Sequence, residues 1–337
     1  MNRFRRLADL TVLATFALIV LGGIVRVSES GLGCGPGGSG TEGWPLCNGE
    51  AVPFFGDTSV IIEFSHRLLA AVVTALIVLL AWTAYKRLED GPGDRPKPTW
   101  PLRASIAAGV LVLVQAALGG LTVERGLEEE LVAAHLGLAM LLLGLLLLLR
   151  RGAEADPRRE AADPPRGLRT LTAVAAMLLL ATIIAGGYVA GTAKEGTPGE
   201  AAVGQAHVAC GEQFPACNGE FMPFGTSRLV DIQLAHRALM YLAAIAVVAM
   251  ATVALLRRRP EGASPRPFAL AAALLAGQIL LGAVNVWAGK HAGLIVGHLM
   301  LATLLWSTVV YAAATLLPAA ARAPRRVGTG RAQEVAA

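Results

Sequence analysis

The sequence predicts an all-α integral membrane protein with eight transmembrane helices arranged as two parallel-repeat four-helix bundles. Composition, a recurring apolar pattern and an internal repeat predict it. Of 337 residues, 55% are hydrophobic and only 16% charged, with a mean hydropathy of +0.58, whereas soluble domains carry about a quarter charged residues. A spanning helix needs about 20 mainly apolar residues rising about 1.5 Å each. Eight stretches qualify: 8–28, 59–85, 102–123, 129–150, 168–190, 229–256, 266–288 and 292–317. Their interiors are Leu, Ala, Val and Ile, as in the run from Leu141 to Leu149.

The repeat is explicit. Pro45-Leu46-Cys47-Asn48-Gly49-Glu50 matches Pro215-Ala216-Cys217-Asn218-Gly219-Glu220 at an offset of 170 residues. The same offset carries Glu63-Phe64-Ser65-His66-Arg67 onto Gln233-Leu234-Ala235-His236-Arg237. An offset of 163 carries Gln115, Leu118-Gly119 and His135 onto Gln278, Leu281-Gly282 and His298. An even number of spans per half gives both halves one orientation, so the repeats are parallel, about an axis along the membrane normal. The expected divisions are an N-terminal bundle, 1–151, a cytoplasmic linker, 152–167, a C-terminal bundle, 168–320, and a cytoplasmic tail, 321–337.

The first apolar run follows Arg3, Arg5 and Arg6 as a signal peptide would. It is long for a signal core, and its counterpart at 168–190 lies where no signal could sit, so it reads as a retained helix. A pI near 9.3 raises the prospect of nucleic acid, but the position of the charge decides against it. Most of the 29 basic residues flank alternate ends of the spans: Arg3 to Arg6, Lys86 to Arg103, Arg150 to Arg169, Arg257 to Arg266, and Arg322 to Arg331. The positive-inside rule places those segments and both termini in the cytoplasm of a plasma-membrane protein. Cys34, Cys47, Cys210 and Cys217 then fall in extracytoplasmic loops. Four cysteines allow three pairings, and one bridge per loop is the economical one. An oxidising exterior permits such bridges, each contributing up to about 3 kcal/mol; a redox-active thiol pair is the other reading.

Four of six histidines recur as two pairs, His66 with His135 and His236 with His298. Each lies about two turns into a span running inward from the outer face, roughly 10 Å deep. Two imidazoles at equal depth on neighbouring helices can ligate one metal from opposite sides. Structural zinc needs four ligands and catalytic zinc usually three, whereas heme brings four nitrogens and needs only axial ligands. Each half supplies two, so heme fits better than zinc. A histidine bonded across helices is the bland reading of any one of them. His207 and His291 do not recur and read as accessory or solvated loop residues.

Glu63 lies three residues before His66, on the same helix face. A carboxyl in a membrane site is costly when ionised, which suits a general acid/base or a stabiliser of cationic charge. Its counterpart Gln233 has the same shape and cannot ionise. Catalysis is therefore expected in the first half, and a supporting or electron-transferring heme in the second. The bland reading pairs Glu63 with Arg67 or Arg26. Arg67 and Arg237 suit heme propionates or snorkel to the interface. Gly22-Gly23, Gly119-Gly120 and Gly186-Gly187 read as helix-packing positions.

These motifs (Glu63-Phe64-Ser65-His66-Arg67, Ala134-His135, Leu234-Ala235-His236-Arg237, Gly297-His298 and the loop cysteines) resemble the heme A synthase family over all but the linker and tail. The resemblance implies oxidation of the C8 methyl of heme O to a formyl group by successive hydroxylations, with oxygen from water. It implies that His66 and His135 flank heme O as substrate, that Glu63 is catalytic, and that His236 and His298 hold heme b. Heme A would pass to cytochrome c oxidase, with heme O synthase as the neighbouring partner, in lipid, and a homo-oligomer is admitted. One departure shows: twelve residues separate Cys34 from Cys47, with a Gly-rich insert from Gly35 to Gly43, against six in the second pair. The rival readings are a diheme cytochrome exchanging electrons with a quinone, which leaves Glu63 against Gln233 without a purpose, and a parallel-repeat transporter, which lacks the expected broken helices.

Overall fold

The computed structural model describes residues 2–89, 99–152, 166–193, 205–256, 264–289 and 291–316. Most of the expected linker, 153–165, and the whole expected tail lie outside the described residues, as do Arg95, Lys97, Arg158, Arg159 and Arg257 to Arg259. Eight helices among the described residues are long and apolar enough to cross a membrane. They are α1 (Asn2–Val27), α2 (Thr58–Glu89), α3 (Trp100–Glu124), α4 (Glu129–Gly152), α5 (Arg166–Gly191), α6 (Arg228–Leu256), α7 (Arg266–Trp287) and α8 (Ala292–Thr315). Short 3₁₀ turns at Gly40–Glu42 and Ala206–Val208 mark two loops, and no strand longer than an isolated bridge occurs among the described residues. The fold is all-helical and multi-pass.

Local chemistry sets the ends. Pro101 and Pro267 stand in the first turns of α3 and α7, where their missing N–H is not needed. Glu129 and Glu130 open α4, and Arg150 and Arg151 close it, both complementing the helix dipole. After α3 the chain reverses through Gly126 and Leu127, whose φ angles are 64° and 62°. The Leu127 N–H returns to the Thr122 carbonyl at 2.8 Å, capping α3 in the Schellman manner.

Neighbours in sequence pack in order, from α1 on α2 through to α7 on α8, and α1 also meets α4 while α5 meets α8. The two sets join through α4 on α5, α4 on α8 and α1 on α8. The leucine-rich stretch of α4 explains that junction. Leu142, Leu146 and Leu149 face a core shared with Val73, Ile77, Leu80 and Val112 of α2 and α3. Met140, Leu143 and Leu147 face a second core with Leu179, Val247, Met250 and Leu305. Spacing of three and four residues puts each set on its own helix face. Half of the apolar window of α4 is buried, against 17% for α1. Trp306 of α8 donates its Nε1–H to the Met140 carbonyl of α4 at 2.8 Å across the junction. Leu13, Val78, Leu113 and Ile245 point outward, more than half exposed, as lipid-facing side chains do.

Candidate functional site

His66, His135, His236 and His298 occupy α2, α4, α6 and α8, each within the first three turns of its helix. All four are half-buried. The fold places His66 within electrostatic range of His135, and His236 within electrostatic range of His298. Among the described residues no group of three or more His, Cys, Asp and Glu side chains could hold a metal ion. The available donors are imidazole pairs, and paired imidazoles in an apolar bundle fit a heme, which asks the protein only for axial ligands.

The surroundings of the rings repeat only in part. His236 Nδ1 lies 3.0 Å from the Thr182 carbonyl of α5; a proton on Nδ1 donated there leaves the Nε2 lone pair for a metal. Gln278 Nε2 stands 3.1 Å from His298 Nε2. In the first half the corresponding Gln115 donates instead to the His135 carbonyl at 2.9 Å. Nδ1 of His135 and of His298 is buried and finds no hydrogen-bond partner among the described residues.

Glu63 is buried, only 3% exposed. Its Oε2 accepts from the Cys34 backbone N–H at 2.8 Å, and its Oε1 accepts from Arg67. Arg67 in turn donates from Nη1 to the Leu46 carbonyl at 2.7 Å. Of the two arginines weighed as partners for Glu63, the geometry supplies Arg67. Arg26 donates to the carbonyls of Ala190, at 3.1 Å, and Ala193 at the end of α5. Arg237 is buried and repeats the clamp, donating to the Ala216 carbonyl at 2.9 Å and the Gln213 carbonyl at 2.9 Å. Leu46 and Ala216 are equivalent in the repeat, so each arginine ties its histidine-bearing helix to the residue before a loop cysteine. Gln233 is buried like Glu63, but its Oε1 finds no partner among the described residues.

The loops match as well. Cys34 is bonded to Cys47 and Cys210 to Cys217, one bridge per loop. Each second cysteine opens a tight turn: Asn48 and Gly49 at φ 52° and 82°, and Asn218 and Gly219 at φ 52° and 89°. Asn-Gly favours such a two-residue reversal, because both central positions need positive φ. Val60 and Val230 pack under the respective bridges.

Three features escape sequence reasoning. The arginines bond loop carbonyls, which no side-chain motif announces. His207, read as accessory or solvated, lies in the Ala206–Val208 turn and interacts electrostatically with His298, so it belongs to the second site's surroundings. His291 is exposed at the start of α8. Lastly, a glycine faces every ring of the two pairs: Gly22, Gly119, Gly186 and Gly282. The recurrence of Gly119 with His135 as Gly282 with His298 was the available signal.

Fold and site together define a multi-pass helical membrane protein whose polar interior is organised around two histidine pairs. Residues 5–310 match the profile of the COX15-CtaA family, described as cytochrome oxidase assembly protein. The chain belongs to that family. It is 27% identical over 312 residues to a heme A synthase of Shouchella clausii, covering 91% of this chain and 95% of the relative. A heme A synthase of Alkalihalophilus pseudofirmus is 26% identical over 312 residues, 92% of this chain and 96% of its own. One from Symbiobacterium thermophilum is 31% identical over 291 residues, 83% of this chain and 84% of its own.

Proposed function

We propose that this chain is a heme A synthase, oxidising the C8 methyl of heme O to a formyl group by successive hydroxylations with oxygen from water. Its product is heme A for cytochrome c oxidase, and heme O synthase is its neighbour in the membrane. The observation that carries the reading is family membership over residues 5–310 together with two alike histidine pairs, with buried Glu63 one turn before His66 where the other half has buried Gln233 before His236. In this reading the N-terminal four-helix half is catalytic and the C-terminal half supports it. The termini are cytoplasmic and the bridged loops extracytoplasmic, from the distribution of basic residues.

His66 and His135 flank the substrate heme O, and His236 and His298 hold heme b, whose iron supplies one-electron chemistry when bound. Hydroxylation with oxygen from water releases protons and electrons, which suits a carboxylate at one site and an electron-transferring centre at the other. Glu63 takes up a proton or balances positive charge beside the substrate, and Arg67 holds the carboxylate in place. The guanidinium groups of Arg67 and Arg237 retain further N–H groups for heme propionates. Incubating the purified protein with heme O and extracting the pigments tests the reading: heme A must accumulate. Recovery of heme O unchanged, under conditions that oxidise and re-reduce the bound heme, would refute it.

One observation favours a second reading. Glu63 is fully engaged as a tether between Arg67 and the Cys34 N–H, as it would be in a diheme cytochrome that only moves electrons to or from a quinone. The same pigment assay separates the two.

A further inference from the structure

Gly22, Gly119, Gly186 and Gly282 lie on α1, α3, α5 and α7, each on the helix preceding the one that carries its histidine. A Cβ on Gly22 would come within 3.2 Å of His66 Nε2. On Gly119 and Gly186 it would come within 3.0 Å of Cε1 of His135 and His236, and on Gly282 within 2.9 Å of Cε1 of His298. The next contact is Nδ1 in three cases, at 3.6, 3.4 and 3.5 Å, and Cδ2 of His66 at 3.7 Å. Three rings lay the Cε1–Nδ1 edge on their glycine and His66 lays the opposite edge, which a half-turn of the ring would exchange.

Backbone conformation does not explain these glycines. None of the four has a positive φ, and glycine inside a helix costs about 1 kcal/mol relative to alanine. Close helix packing does not explain them either. The next residue meets something else: Gly23 meets Leu299 of α8, Gly187 meets Ala133 and Leu136 of α4, and Gly120 meets Trp44 of the loop before α2, while Gly282 is followed by the buried Ala283. The nearest neighbours of Gly22, Gly119, Gly186 and Gly282 are all imidazole atoms. At His236 the shape is joined by a hydrogen bond from the same helix, since Thr182, whose carbonyl faces Nδ1, lies one turn before Gly186. Nδ1 of His135 and of His298 finds no hydrogen-bond partner among the described residues, so at that edge of each ring the glycine is the neighbour, while Nε2 of His298 meets Gln278.

We infer that these four glycines are positioning residues: each forms a side-chain-free seat that fixes the rotation and depth of one axial imidazole, and so sets the ligand field at both hemes. The inference rests on the heme reading of the two histidine pairs. A methyl group at any seat must displace its ring by several tenths of an ångström, or the helix that carries it.

The test substitutes alanine singly at the four seats of the full-length protein, with Gly109→Ala on α3 and Gly167→Ala on α5 as controls, where a Cβ would meet nothing within 4 Å. Heme content, low-spin g values and midpoint potential of the purified proteins are measured. Gly186→Ala and Gly282→Ala are expected to shift the g values and potential of the second-half heme, Gly22→Ala and Gly119→Ala those of the first. The controls keep wild-type values. A complementation experiment covers variants that fold poorly. In His236→Gly, added imidazole occupies the seat and restores the low-spin spectrum. Adding Gly186→Ala raises the half-saturating imidazole concentration about tenfold, whereas adding Gly167→Ala leaves it unchanged. Wild-type spectra in all four seat variants, with unaltered imidazole affinity, would overturn the inference while leaving the heme reading intact. A wild-type protein that binds no heme would overturn both.

Discussion

Glu63 and Gln233 occupy equivalent buried positions and differ in one group, a carboxyl oxygen that can ionise against an amide NH2 that cannot. Substituting Glu63→Gln therefore separates charge from shape: the amide oxygen can still accept from Cys34 N–H while the ion pair with Arg67 is lost. Heme A formation in that variant is expected to fall to background with the second-half heme still bound. A wild-type heme A yield would take Glu63 out of the chemistry and leave it a tether. His236→Ala is expected to lose the stably bound heme b, read by pyridine hemochrome; full retention would undo the assignment of that histidine. The histidines, Glu63 and the arginines were legible as motifs because polar groups stand out against an apolar background. Their partners were not. Arg67 and Arg237 bind backbone carbonyls, and every residue type offers a carbonyl, so sequence carries no mark of it.

Between the motifs, the elements that hold them are the bridged loops. Each loop is closed on itself by a disulfide and an Asn-Gly reversal, and is held to its helix by packing of the bridge on a buried valine and by an arginine from the turn that bears the histidine. Removing the Cys34–Cys47 bridge, which spans 13 residues in sequence, is expected to destabilise its loop by about 3 kcal/mol, through the entropy regained by the opened chain. The Cys210–Cys217 bridge spans 7, and its loss is expected to cost about 2.5 kcal/mol. Limited proteolysis of paired Cys→Ser variants measures both, and equal resistance to cleavage with and without the bridges would count against a structural role. The economical pairing was readable from cysteine position and compartment. The turn was readable too, since Asn-Gly recurs at the same place in both halves. What the pattern hid was the division of labour within each Gly-Gly pair. Composition gives two small residues, and only the neighbour across the helix interface tells a seat for a ring from a contact between helices.

Across the whole molecule, hydropathy alone located all eight helices, because lipid demands long unbroken apolar runs. Helix ends differ from the expected ones by a few residues, most at α1, which begins at Asn2, and at α2, which continues to Glu89. Rank within the bundle was not legible. All eight spans are strongly apolar, and in lipid an apolar residue does not reveal whether it faces protein or acyl chains. That is why the junction built by α4, α5, α8 and α1 emerges only from packing. Cutting the chain at a protease site introduced within 153–165 is expected to leave the two fragments associated in mild detergent, and they should co-elute as one species. Separation of the fragments would mean that the junction contributes little.

Arg67 and Arg237 also carry a mechanical consequence. Each guanidinium grips the strand of loop beside a cysteine from the turn directly after its histidine. Moving either loop therefore moves, through a link only a few atoms long, the helix turn that carries the neighbouring imidazole.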